Sequence, residues 1–320
     1  MLTASLVAIE ARRRASISSV GPSTAGDSHS VAVVGKPTAT NRALVAAFED
    51  LGRQAHLVTG TEAIEMGSDD VAIGRLDVLP TLDGVEPGLG LLSRLEARGV
   101  NVLNRPTALF AAHDKLSTAL FLGRAGVAQP RTAHVGGVTV PSFAPPYVVK
   151  PRFGSWGQEV HLCRDEGELR TLLERLGEEP WFRRQGALVQ ALVEPTGRDL
   201  RVVVAAGRVI GAIERHARPG EWRTNVSLGA LRRPVDAPLA ARALALRAVA
   251  ALGIDLAGVD IAGDEGGRMR VLEVNGAVDF TPEYGPDAFA NAAAALLRRA
   301  EAREATAAAQ REVAALDAVG

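Results

Sequence analysis

The chain has 320 residues, 47% of them hydrophobic and 23% charged, with a formal net charge of −1. That is enough length for two domains or one large α/β unit, and it leaves no global basic footprint for nucleic acid or a membrane surface. A single cysteine, Cys163, excludes a disulfide framework and fits a reducing, cytoplasmic setting, while no apolar run approaches the roughly 20 residues of a membrane helix.

Residues 1–29 are rich in Ser, Gly and Arg and read as a disordered arm. After it, 30–35 reads as a short buried strand, 41–51 as a helix ending at Gly52, and 54–58 as the next strand. This β-α-β alternation indicates a parallel sheet. A further strand is expected within LDVLPTLDG (76–84), then a helix ending at Gly99, and the strand NVLN (101–104) closes a first α/β unit over 30–105. The unit has no GxGxxG, so a dinucleotide site has no support there. Helices and a Pro-punctuated turn follow. PYVVKP is a strand reaching Lys150, RFGSWGQ a glycine loop, EVHLC a strand and DEGELRTLLERLG an amphipathic helix. ALVQALV is a strand, 198–216 is a hairpin turning at Ala206-Gly207, and 237–252 is a helix. AGVDIAG and RMRVLEVNGAVDF contribute two more strands, and 301–320 reads as a helical tail.

The last of these strands is unusual. Met269, Val271, Leu272 and Val274 mark it as buried, yet Glu273 and Asn275 lie within it. Side chains at i and i+2 of a strand share a face, so a carboxylate and a carboxamide emerge together. A buried unpaired carboxylate costs several kcal/mol, and Asp260 in the neighbouring AGVDIAG offers a second acid. Three oxygen donors of this kind suit Mg²⁺. The plain alternative is an acid paired with one of the many arginines. Only three of the 36 basic residues are lysines, Lys36, Lys115 and Lys150. Lys150 stands just before Gly154-Ser155-Trp156-Gly157, where backbone N–H groups could approach phosphate oxygens. The spacing is not that of a P-loop.

Taken in order, DKLSTALFLGRAGVAQPRT, VVKPRFGSWGQEV, the segment 197–230, AGVDIAG and VLEVNGAVDF resemble the ATP-grasp ligases of the RimK type, the α-L-glutamate ligases. The similarity covers about 31–299 and is densest over 150–280. The resemblance implies an α/β plus α+β architecture: an ATP-grasp fold behind an N-terminal Rossmann-like, pre-ATP-grasp domain (30–105), with a central subdomain (106–190) and a C-terminal subdomain (191–300). It implies ATP between the two subdomains, with Lys115 and Lys150 on the nucleotide and its phosphates and Gly154, Ser155, Trp156 and Gly157 as the covering loop. Gln190, Ala191 and Leu192 would edge the adenine, although the family often has an acid and an aromatic there. Asp199, Arg223, Thr224 and Asn225 match further nucleotide-contacting positions. Asp260, Glu273 and Asn275 match ligands of two Mg²⁺ ions, a role Mn²⁺ would also fill, and Arg201, Arg215 and Arg223 match the basic positions facing phosphate and substrate carboxylates.

The implied chemistry is an acceptor carboxylate activated as an acylphosphate and captured by an amine, which needs no protein nucleophile. Cys163 is accordingly a core residue, and His113, His134, His161 and His216 are structural, with a place near the cleft left open for His216 because it follows Glu214-Arg215. Asp279-Phe280 resembles members that act on the C-terminal glutamate of a small amino-group carrier protein. The implied partners are a glutamate-like amino acid and a carboxylate acceptor of that kind, in a homo-oligomer. A non-catalytic nucleotide-binding regulator and a peptide or natural-product ligase on the same fold stay open.

Overall fold

The computed structural model describes residues 30–193 and 196–317. The arm expected over 1–29 and the last three residues of the tail lie outside them. Strands β1 (Ser30–Val34), β2 (Gln54–Val58), β3 (Val71–Gly74) and β4 (Asn101–Leu103) form a parallel sheet in the order β2-β1-β3-β4. Helices α1 (Ala39–Asp50) and α2 (Leu89–Ala97) connect them. Thr38 starts α1 by accepting the Asn41 amide at 3.1 Å, which satisfies one of the helix's free N–H groups. The strand expected within 76–84 is not formed. The sheet instead takes Val71–Gly74, an uninterrupted run buried at every position, as a central parallel strand requires. Residues 76–84 contain Pro80 and contribute only a bridge from Val78 to Val85.

Helices α3 (Pro106–His113) and α4 (Lys115–Arg124) lead to a second, antiparallel sheet, ordered β5-β8-β6-β7, of β5 (Thr132–Val135), β6 (Tyr147–Pro151), β7 (His161–Cys163) and β8 (Ala187–Ala191). Helix α5 (Glu166–Leu176) buries Leu169, Leu173 and Leu176 against it. Edge strand β5 and the six-residue helix α6 (Pro180–Gln185) escape the sequence reading, being too short to show a period.

The third sheet is ordered β11-β10-β9-β12-β13, from β9 (Arg198–Ala205), β10 (Arg208–His216), β11 (Leu231–Pro234), β12 (Leu256–Gly263) and β13 (Met269–Asn275). Its hairpin turns at Ala206 and Gly207, both at positive φ, the geometry of the tight hairpin turn expected there. The exposed edge strand β11 has no counterpart in the sequence reading. Helix α7 (Leu239–Leu252) covers one face. Helix α8 (Ala288–Asp317) covers the other, lodging Ala292, Ala293 and Leu296 between this sheet and the parallel one.

Two buried polar groups clamp these layers. Asn104, fully buried at φ +52°, donates through Nδ2 to the carbonyls of Gly74, Leu256 and Gly276. Its Oδ1 accepts the amides of Asp255 and Leu256. Asp255 in turn accepts from Arg299 and Arg303 of α8. Asn104→Ala removes five bonds at once, strands buried backbone groups and places alanine at a φ it disfavours. We expect a loss of about 3 kcal/mol or more in urea unfolding. Asn104→Gly, which tolerates that φ, should recover only the smaller, conformational share.

Candidate active site

The two antiparallel sheets face each other across a cavity of about 390 Å³. All of the candidate site residues line it: Lys115, Lys150, the 154–157 loop, 190–192, Asp199, Arg201, Arg215, 223–225, Asp260, Glu273 and Asn275. Register explains the anionic wall. Glu273 of β13 stands opposite Asp260 of β12, which stands opposite Arg201 of β9, giving one row of charge across three strands. Beyond Asp260 the register slips at Leu272. Such a bulge places two residues against one, so Val271 and Val274 both enter the α7-side core while Leu272, Glu273 and Asn275 face the cavity.

The acid–arginine pairing weighed as the alternative is present. Arg201 grips Asp260 through Nε and Nη2 at 2.7 and 2.8 Å, and Arg215 reaches the same carboxylate at 2.9 Å. Arg215 also forms a two-pronged pair with Asp199, directly opposite on β9. Burial pushes the Asp260 carboxyl up, but Arg201 and Arg215 outweigh it and hold the group well below the usual carboxylate range. Burial likewise opposes the Arg215 charge, and Asp260 and Asp199 overcome it. Arg201 and Arg215 therefore present paired, immobilised guanidiniums rather than free cations. Arg223 is similarly engaged, with Glu221 and with the Gly157 and Val160 carbonyls.

Glu273 pairs with Lys115 at 2.8 Å, and the same ammonium donates to the Gly154 carbonyl at 2.5 Å. Lys150 Nζ donates to the Leu272 carbonyl at 3.3 Å. Burial lowers Lys150 to about 8, against the pull of Glu273 and helped by the neighbouring Lys115 charge. The 154–157 loop lies against the 222–227 segment: Ser227 donates to the Trp156 carbonyl at 2.7 Å. Gly157, at φ +75°, packs so near the Asn225 carboxamide that a side chain there would collide with it. Gln190 turns its carboxamide to Thr132 at 2.9 Å, and the amides of Ala191 and Leu192 already donate to the Arg131 and Pro146 carbonyls.

The donor set can be tested for a divalent cation. Among the described residues no three His, Cys, Asp or Glu side chains cluster for one. Asp260 and Glu273 are two register-paired carboxylates, so a third protein ligand has to be the Asn275 carboxamide, whose Nδ2 is buried without a partner. All three offer oxygen, and the set fits Mg²⁺ held jointly with phosphate oxygens.

One cavity residue differs from expectation. His113, expected to be structural only, reaches the cavity wall with a buried, unpartnered Nε2. Burial lowers its pKa to about 4, with Lys115 adding to the effect. Its place directly before Asp114-Lys115 was the available signal. His216 is absent from the wall and instead sits 2.6 Å from Glu214. Cys163 is a buried core residue, its thiol pushed up to about 11 by burial.

The profile of the RimK-like ATP-grasp domain matches residues 112–298. A tetrahydromethanopterin:alpha-L-glutamate ligase of Methanosarcina acetivorans is 33% identical over 194 residues, 53% of this chain and 58% of that protein. A glutamate–LysW ligase, ArgX, of Sulfurisphaera tokodaii is 31% identical over 140 residues, 42% of this chain and 50% of that one. The chain thus spans between half and three-fifths of these relatives. In three dimensions it resembles a RimK domain ATP-grasp protein from Sphaerobacter thermophilus, with a TM-score of 0.62 and 21% identity over 84% of this chain and 100% of the other. With the profile covering more than half of its length, the chain belongs to the RimK-like ATP-grasp family.

Proposed function

We propose that this chain is an ATP-dependent carboxylate–amine ligase that adds glutamate or a related amino acid to a carboxylate acceptor. The observation that carries the reading is the single cavity in which Lys115, Lys150 and the 154–157 loop face the register-paired Asp260 and Glu273. In this reading Lys150 and Lys115 neutralise charge on the transferring phosphoryl group, a task that is mostly positioning and electrostatics. Arg201 and Arg215 hold Asp260 in place and balance its charge. The loop excludes water from the acyl phosphate, and Gln190, Ala191 and Leu192 border the base. Asp199, Arg223, Thr224 and Asn225 complete the nucleotide wall. Mg²⁺ bound by Asp260, Glu273 and Asn275 would supply charge neutralisation at the phosphates. The amine then displaces phosphate to leave an amide. The subdomain limits at 105, 190 and 300 and a small acidic carrier protein as acceptor belong to the same proposal.

Phosphate release from Mg·ATP, measured against a panel of amino acids and carboxylate acceptors, tests it. Release that requires one particular pair and falls by about 10² or more in Glu273→Ala supports the ligase. ATP binding with no release on any pair, a carrier-protein acceptor included, would favour a non-catalytic binder.

A further inference from the structure

The parallel sheet opens a second cavity that the ligase reading leaves unused. In the order β2-β1-β3-β4 the chain runs from β1 out to β2, then returns past β1 to β3 on its other side. The loops leaving the carboxyl ends of β1 and β3 therefore diverge, and a crevice at such a reversal is where open α/β sheets hold ligands. A cavity of about 180 Å³ lies between those two loops. Lys36 enters it from the first loop and Arg75 and Asp77 from the second, while Asp279, from the segment after β13, lines both this cavity and the main one. Asp77, Ser155, Trp156, Gln158 and Ala277 are likewise common to the walls of both.

The charges in the crevice are incompletely matched. Arg75 is only 2% exposed and has no carboxylate within ion-pair distance among the described residues. It donates from Nε to Asn41 Oδ1 at 2.9 Å, from Nη1 to the Gly276 carbonyl at 3.3 Å and from Nη2 to the Val278 carbonyl at 2.6 Å. A guanidinium has five N–H donors, so its fork is fixed in direction while two donors stay unused. Burial draws Arg75 down to about 10 even though Asp279 and Asp77 act on it from farther away. A buried cation without a counter-ion is expensive, and a carboxylate is the group its planar fork fits. Asp279 is the converse: an exposed carboxylate in the wall common to both cavities, with neither a hydrogen bond nor an ion pair among the described residues. Among the described residues the Asp77 carboxylate accepts only the Val78 amide, whereas Lys36 pairs with Glu86.

We propose that this crevice binds the amine substrate, an α-amino acid, with its carboxylate on Arg75 and its amino group between Asp77 and Asp279, pointing into the main cavity. The assignment rests on the ligase reading for its chemistry, since Asp279 also lines the main cavity that holds Lys115, Lys150 and the 154–157 loop.

Calorimetric titration of the full chain with L-glutamate, in the presence of Mg²⁺ and a non-hydrolysable ATP analogue, tests it. Asp279→Asn, at an exposed and unpartnered position, should fold normally, weaken L-glutamate by about tenfold or more and leave the affinity for the analogue unchanged. Glutarate, which lacks the amine, should be insensitive to that substitution. Arg75→Lys should weaken both acids, and 4-aminobutyrate, without the α-carboxylate, should ignore it. Equal losses for glutamate and glutarate in Asp279→Asn, or no loss for either, would overturn the proposal. If wild type binds the analogue but neither L-glutamate nor any of a panel of L-amino acids, the proposal also falls and the ligase reading stands or falls separately on phosphate release. Failure to bind the analogue at all would instead overturn the ligase reading, and this assignment with it.

Discussion

Asp260→Ala should be among the most destabilising single substitutions in this chain, at about 3 to 5 kcal/mol in urea unfolding. Asp260 is 5% exposed and neutralises two guanidiniums at once. Its removal leaves Arg201 without a carboxylate and Arg215, whose side chain is 4% exposed, with Asp199 alone. The penalty is that of uncompensated buried charge, larger than the net worth of the pair itself. A pH signature accompanies it. The folded carboxyl sits well below its ordinary value of 3.8 because the arginines outweigh burial. Its contribution is therefore fully present above that ordinary value and is lost as pH falls toward the folded pKa. Wild type should lose stability progressively below about pH 5, and Asp260→Asn should show a shallower acid limb by about one proton. An Asp260→Ala loss under about 1 kcal/mol would mean that the arginines simply turn to solvent.

Lys150→Met should do the opposite: stability is retained or raised while phosphoryl transfer falls by about 10² to 10³. The residue is 8% exposed and, among the described residues, its side chain makes one hydrogen bond, to the Leu272 carbonyl, so the fold gains little from the charge. Burial lowers its pKa from 10.5 to about 8, which means that the charged form costs stability below about pH 8. That cost shrinks as pH rises from about 8 to 10.5, and methionine removes it altogether. In the unliganded protein the cation is lost as pH rises through about 8, so ATP affinity should decline above that pH. Lys150→Arg, charged throughout, should flatten the decline. Calorimetric ATP titration from about pH 7 to 10 measures both. A wild-type affinity that stays constant over that range would remove Lys150 from the phosphate wall.

Local residue order made a good part of this legible. The β-α-β alternation showed the parallel unit, and the fold class followed from it together with the RimK-like motifs. The two-residue period put Glu273 and Asn275 on one face, and their presence in an apolar strand marked a site. Scarcity drew notice to Lys115 and Lys150. Errors came where short-range signals are weak: a strand misplaced into 76–84, where Pro80 interrupts the ladder, and the missed four-residue edge strands β5 and β11.

What residue order could not supply was partnership across strands. Whether Asp260 meets a metal or an arginine depends on β12 lying against β9 with Asp260 opposite Arg201, a pairing 59 residues apart in the chain. The slip at Leu272, which turns Leu272 to the cavity and lets Val271 join Val274 in the core, exists only once β13 is hydrogen-bonded to β12. That neither Arg75 nor Asp279 has an ion-pair partner among the described residues is likewise a property of the assembled layers, since neither position reveals it locally. The sequence determined which chemical groups are available and which face of each strand they occupy, because side-chain alternation is a local geometric rule. The tertiary structure decided which charges neutralise one another and which do not, because interstrand register is set by packing between segments distant in the chain.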